Sequence, residues 1–136
     1  MTESELKECE KELIEILSDC NQPNWGGENE EPITIQTVYE AWKFLKVAPY
    51  DIPKPSLAES VRGCIGIEWA KTLERCGYDL VSVRIYSDKM ITYVSPKSLV
   101  YDGDIRNFYG ELKFDGVTFP EFLHRRIKQI MEGEYE

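Results

Sequence analysis

The sequence predicts an α+β domain: an antiparallel sheet of about four strands in a meander, with an N-terminal helix pair and a C-terminal helix packed on one face. Three observations predict it. Apolar residues recur at helical spacing up to about residue 48, alternate from Ser56 to Phe114, and return to helical spacing from Thr118. Short turn signals join the alternating runs, which suits antiparallel neighbours rather than crossovers. The chain has 136 residues, 42% of them hydrophobic, enough for one core over residues 1–136 without disulfide or metal staples.

Residues 1–20 read as a helix. Thr2 and Glu5 form a T-x-x-E capping box, and Leu6, Cys9, Leu13, Ile16, Leu17 and Cys20 make one apolar stripe. Residues 21–33 carry Gly, Pro, Asn and acids and read as a loop around Trp25. Residues 34–48 read as a second helix whose core stripe is Ile35, Val38, Tyr39, Trp42 and Leu45. Pro49, Pro53 and Pro55 then impose an extended linker. The helix pair is too short to bury its face alone, so it belongs to the same domain as the sheet.

The sheet spans 56–114. Residues 56–61 are a candidate short first strand. Ile65, Ile67 and Trp69 alternate inward, as do Val81, Val83 and Ile85, with Ser82 and Arg84 outward. Ser87-Asp88-Lys89 signals a turn, 90–94 the returning strand, and 108–114 the last one. Residues 118–132 read as the final helix, with Thr118 as N-cap and Glu121 as its capping-box partner.

Charge is unevenly distributed. The chain has 16 bases and 25 acids, net −9, which argues against direct binding to a phosphate backbone. Residues 1–31 hold ten acids and two bases, so a balance of −8 sits there and the remainder is nearly neutral. On a helical wheel Glu5, Glu8, Glu12, Glu15 and Asp19 share one face, roughly 110° from the apolar stripe at about 100° per residue. Like charges at i,i+4 destabilise an isolated helix by about 0.2–0.5 kcal/mol per pair. Either this face is simply solvated, or it docks a basic partner.

Other chemistry is sparse. Cys9, Cys20, Cys64 and Cys76 include no C-x-x-C pair, and the lone His124 offers no zinc companion. Cys9 and Cys20 lie on one helix, about 16 Å apart, too far to bond each other. Buried thiols in a reducing cytoplasm are the reading that fits. The pair Asp102 and Asp104 resembles the start of a calcium loop, but its later ligand positions hold Arg106 and Lys113, which leaves a turn. Gly26-Gly27 lacks the Lys-Ser/Thr of a phosphate loop, and Gly66 opens no helix. His124, Arg125, Arg126 and Lys128 form a small basic cluster on the last helix. No apolar run is long enough to span a bilayer, and the acidic start is unlike a secretory signal.

The order Asn24-Trp25-Gly26-Gly27-Glu28, Pro32, a Thr-capped helix ending Trp42-Lys43-Phe44-Leu45, a proline-bounded segment and the strand Ile65-Gly66-Ile67-Glu68-Trp69 resembles a group of small bacterial and mobile-element proteins. Their mark is an N-W-D-G-E-G-like loop before a helix, followed by a strand reading like I-x-L-E-W. The resemblance covers about residues 20–130. Gly26 stands where the group tends to carry Asp, and Asn29 where it tends to carry Gly. The resemblance implies an architecture and a mobile-element setting, and supplies no catalytic residue.

The expectation from these features is a cytoplasmic, non-enzymatic interaction protein without cofactor or metal. Its proposed contacts are Glu5, Glu8, Glu12, Glu15, Asp19, Trp25 and Glu28. Its partner would be a basic protein, such as a nucleic-acid-binding or defence protein that it inhibits. Two alternatives stand beside it: a small hydrolase or transferase using His124 with Asp102 or Asp104, and an aromatic ligand pocket from Tyr86, Tyr93, Tyr101, Phe108 and Tyr109.

Overall fold

A computed structural model describes residues 1–72, 78–95 and 108–132; Cys76, Tyr101, Asp102, Asp104 and Arg106 lie outside these, and of the Phe108 side chain nothing is described. The described elements run α1 (Glu3–Cys20), α2 (Ile35–Lys46), β1 (Ser56–Glu59), β2 (Ile65–Thr72), β3 (Tyr78–Ile85), β4 (Met90–Ser95), β5 (Phe108–Lys113) and α3 (Glu121–Glu132). The strands form one antiparallel sheet in the order β1-β2-β3-β4-β5. The expected meander is there, with five strands rather than about four. The candidate first strand at 56–61 forms as the short β1, which pairs Ser56 with Glu68 and Glu59 with Ile65 as soon as the prolines end.

The alternation sets which face is buried. Ile65, Ile67, Trp69, Val81, Val83, Ile85 and Ile91 are buried against the helices, while Glu68, Arg84, Val94 and Tyr109 are exposed on the opposite face. The Trp69 indole N–H donates to the Pro53 carbonyl at 2.8 Å, which fixes the linker to the sheet. One core cluster joins residues of α1, α2, the sheet and α3.

Helix α1 begins as the capping box predicts. The Thr2 N–H donates to Glu5 Oε1 at 2.9 Å, and the Glu5 N–H donates to Thr2 Oγ1 at 3.1 Å. Cys9, Leu13, Ile16 and Cys20 are its buried stripe. Helix α3 starts at Glu121, two residues later than Thr118 as N-cap implies. The Asp115 carboxylate takes the N–H groups of Val117 and Thr118 at 2.8 and 2.7 Å, so that turn ends before the helix begins.

Helix α2 is rotated relative to the expected stripe. It buries Thr37, Glu40, Ala41, Phe44 and Leu45. Phe44 stacks edge-on with Phe114 at 5.6 Å and lies 4.8 Å from Phe119. Of the expected core stripe, only Leu45 is fully buried; Ile35 is 73% exposed and Tyr39 50% exposed. The reason is long-range. Small Thr37 and Ala41 let the helix approach the sheet closely, and Phe44 completes an aromatic cluster with residues 70 and more positions away.

Candidate functional site

The acidic flank of α1 is divided. Toward the N-terminus, the Glu5 carboxylate is held below the ordinary range chiefly by the Thr2 N–H. The Lys54 ammonium, from the proline linker, lies 3.0 Å from Glu12 Oε2 and 3.8 Å from Glu8 Oε2. The hydrogen bond to Glu12 raises the Lys54 pKa above its usual value. Toward the C-terminus, Glu15 and Asp19 are exposed. With Glu59 of β1 they border a cleft of about 250 Å³ floored by Ile16, Cys20 and Leu57. Among the described residues these three carboxylates have no ion-pair partner.

The Trp25 loop closes on itself. Asn24, Gly27 and Asn29 have positive φ (59°, 85° and 63°). The Asn24 N–H donates to the Glu30 carbonyl at 2.9 Å, and the Asn29 N–H to Asn24 Oδ1 at 2.8 Å. The Glu30 side chain is buried inside this ring and accepts the Glu28 N–H at 2.8 Å. Burial alone would raise its pKa, but the N–H groups of Glu28, Glu30 itself and Gly26 outweigh it and hold the carboxyl low. A Cβ at position 26 would collide with the Glu30 carboxylate, which is why glycine stands there. The loop's amides thus serve the chain's own carboxylate. Trp25 is half-buried against the core and its indole N–H donates to the Glu31 carbonyl at 2.9 Å; the Glu28 side chain is exposed.

Beside the acidic flank, sequence reasoning missed a second surface. α1 and α2 run antiparallel: the Ile33 N–H donates to the Cys20 carbonyl at 2.7 Å at one end, and the Trp42 indole N–H donates to Glu10 Oε1 at 2.6 Å at the other. Between them lies an apolar groove of about 360 Å³, lined by Leu13, Ile14, Leu17, Ile35, Val38, Tyr39 and Trp42 with Glu10. Ile14 is 64% exposed on its wall. The sequence did carry a signal: Ile14 falls out of phase with the buried stripe of α1, and α2 holds more large apolar residues than one face needs.

His124 does not stand alone. Its Nε2 lies 2.9 Å from Asp51 Oδ1, and Lys128 Nζ lies 2.9 Å from Asp51 Oδ2, so α3 clasps the proline linker. Asp102 and Asp104, the carboxylates expected beside His124, lie outside the described residues. Of the expected aromatic pocket, Tyr86 is half-buried, while Tyr93 packs inward against Phe122 at 5.0 Å and Tyr109 is exposed on the opposite face of the sheet. Under the same end of the sheet, Arg126 Nε donates to Ser95 Oγ at 2.9 Å, and the Ser95 hydroxyl donates to the Leu80 carbonyl at 2.6 Å. That hydroxyl is therefore committed to structure. Cys9, Cys20 and Cys64 are free and buried. Among the described residues, no group of three or more His, Cys, Asp or Glu side chains is arranged to hold a metal ion, and no helix is long and apolar enough to cross a membrane. Comparison with protein-family models, with curated proteins and with solved structures gave no match.

Proposed function

We propose that this chain is a protein-interaction module that docks a partner through the outer face of its α1–α2 helix pair. One observation carries the reading. Ile35 and Tyr39 of α2 are exposed and, together with Ile14 of α1 and the half-buried Trp42, line an open groove. Single exposed apolar residues are ordinary, but several gathered in one groove on a charged surface mark a contact site. A second reading keeps the acidic flank as the contact for a basic partner, supported by Glu15, Asp19 and Glu59 bordering one cleft. In that case Glu15 and Asp19 act, and Glu5, Glu8 and Glu12 keep their structural partners.

Affinity capture from the native host separates the two. Three forms are compared: the wild type, Ile14→Glu with Ile35→Glu, and Glu15→Lys with Asp19→Lys. Each is first checked for an unchanged thermal unfolding curve. The groove variant is expected to lose the captured protein and the charge-reversed variant to retain it. Retention by the groove variant removes the main reading, and loss by the charge-reversed variant selects the second.

A further inference from the structure

We propose that Lys71 is a two-position latch on the end of α3: bonded to the Met131 carbonyl it holds the last turn down, and swung across to Asp79 it lets that turn go. The starting observation is an orphan. Asp79 is fully buried, and among the described residues neither of its carboxylate oxygens has a hydrogen-bond partner. A buried carboxylate left in that state is costly, and native chains keep few of them. Asp79 is in phase with Val81, Val83 and Ile85, so it lies on the sheet face that packs against α3.

A cation stands opposite it. Lys71 is the register partner of Asp79 across β2 and β3, and it is in phase with Ile65, Ile67 and Trp69. Directly opposed residues on one face have Cβ atoms about 4.5–5.5 Å apart. The flexible lysine stem can therefore bring its ammonium to the carboxylate without moving the strands. The ammonium goes elsewhere: Lys71 Nζ donates to the Met131 carbonyl at 3.5 Å. That is longer than the ordinary range of about 2.7–3.2 Å, so the bond is a weak one. The carbonyl has its own claim. It is one of the last four of α3, which have no partner within the helix, and α3 has no basic residue in its last turn. A helix end and a carboxylate thus compete for one ammonium, and the loser is left short. Arg126 also feels Asp79: burial lowers its guanidinium pKa and the Asp79 charge opposes that. Arg126 is tied down, however, with Nε donating to the buried Ser95 hydroxyl at 2.9 Å. Lys71 is the cation with the weaker tie.

The latch holds a wall in place. Met131 packs against the core, and Lys128, Met131 and Glu132 line one side of a pocket of about 360 Å³ that Tyr50, Ile52 and Pro53 line on the other. Release of the last turn widens that pocket.

The test is amide hydrogen exchange on the full chain, read at Ile130, Met131 and Glu132 relative to Leu123 and Ile127. Asp79→Asn removes the competing charge, and Asp79→Leu removes the polar group altogether. Each is expected to slow exchange in the last turn about fivefold relative to the two reference amides. Lys71→Met is expected to speed it, and adding Asp79→Asn to Lys71→Met to change nothing further. No relative change with either Asp79 variant overturns the latch. Faster exchange or loss of the fold in both makes the carboxylate structural and overturns it as well. A slowing by Asp79→Asn that persists beside Lys71→Met takes the role from Lys71 and overturns the proposal.

Discussion

Truncating the two faces of α2 in turn tests the rotation of that helix, on which the groove depends. Phe44 is fully buried between Phe114 and Phe119. Phe44→Ala removes a core ring and leaves a cavity, a change that costs about 3–5 kcal/mol. Ile35, 73% exposed, gives up little on truncation, and Ile35→Ala is expected to cost at most about 0.5 kcal/mol. Urea unfolding of a domain this size has a slope of roughly 1.5 kcal/mol per molar. Phe44→Ala therefore lowers the midpoint by about 2–3 M, and Ile35→Ala by less than about 0.4 M. Domains carry only about 5–15 kcal/mol in total, so Phe44→Leu is measured alongside as a milder change of about 1–1.5 kcal/mol. The stripe drawn from apolar spacing alone expects the reverse order. An Ile35→Ala midpoint at or below that of Phe44→Leu refutes the orientation of α2 and the groove with it.

Further outcomes follow from the loop, the linker clasp and the thiols. Gly27→Ala has free space but a φ of +85°, so it is expected to cost about 1 kcal/mol of strain; Gly26→Ala, driven into the Glu30 carboxylate, is expected to unfold at lower urea than Gly27→Ala, and the opposite order refutes the ring around Glu30. The Lys128 ammonium, against the opposing effect of burial and with help from His124, holds the Asp51 carboxyl below its usual range. The stability this supplies is complete above the ordinary carboxylate pKa near 4 and is lost as pH falls through the lowered value. The melting-temperature gap between wild type and Asp51→Asn should thus be widest above about pH 5 and close toward about pH 2, and a gap independent of pH refutes the clasp. Burial pushes the Cys9 thiol up to about 11. Iodoacetamide at about pH 8 should leave Cys9 unmodified in the folded protein and label it in urea, as peptide mapping would show; labelling at the rate of a free thiol refutes the burial.

How much of this was legible in the sequence depended on whether a pattern had one solution. In β2 and β3 the alternation of Ile65, Ile67, Trp69 and of Val81, Val83, Ile85 admits one buried face, and both strands form as expected. The same holds for α1, where the capping box and a single stripe agree. α2 offered two overlapping stripes at helical spacing. The more apolar one, Ile35-Val38-Tyr39-Trp42-Leu45, lost to one containing Thr37, Ala41 and a buried, paired Glu40. What decides between them is contact with Phe114 and Phe119, which no local window contains. The start of α3 failed for a related reason: the Asp115 and Glu121 carboxylates competed for one amide, the Thr118 N–H, and Asp115 took it.

The charge on α1 shows the same dependence on distant residues, and it orders the surface. Sequence spacing correctly grouped Glu5, Glu8, Glu12, Glu15 and Asp19 on one flank. It could not show that Lys54, 42 positions beyond Glu12, would neutralise the middle of that flank. The anionic potential is thereby displaced toward Glu15 and Asp19, at the β1 side of the helix, while the groove on the other side carries one carboxylate, Glu10, in an otherwise apolar lining. α1 thus divides a charged cleft from an apolar groove about one helix diameter away, close to the screening length of roughly 8 Å at physiological salt. A basic segment would be drawn to the cleft, and an apolar one to the groove. Net charge alone, at −9, assigns the whole segment to basic partners; resolved onto the two sides of one helix, it confines that preference to the side of Glu15 and Asp19.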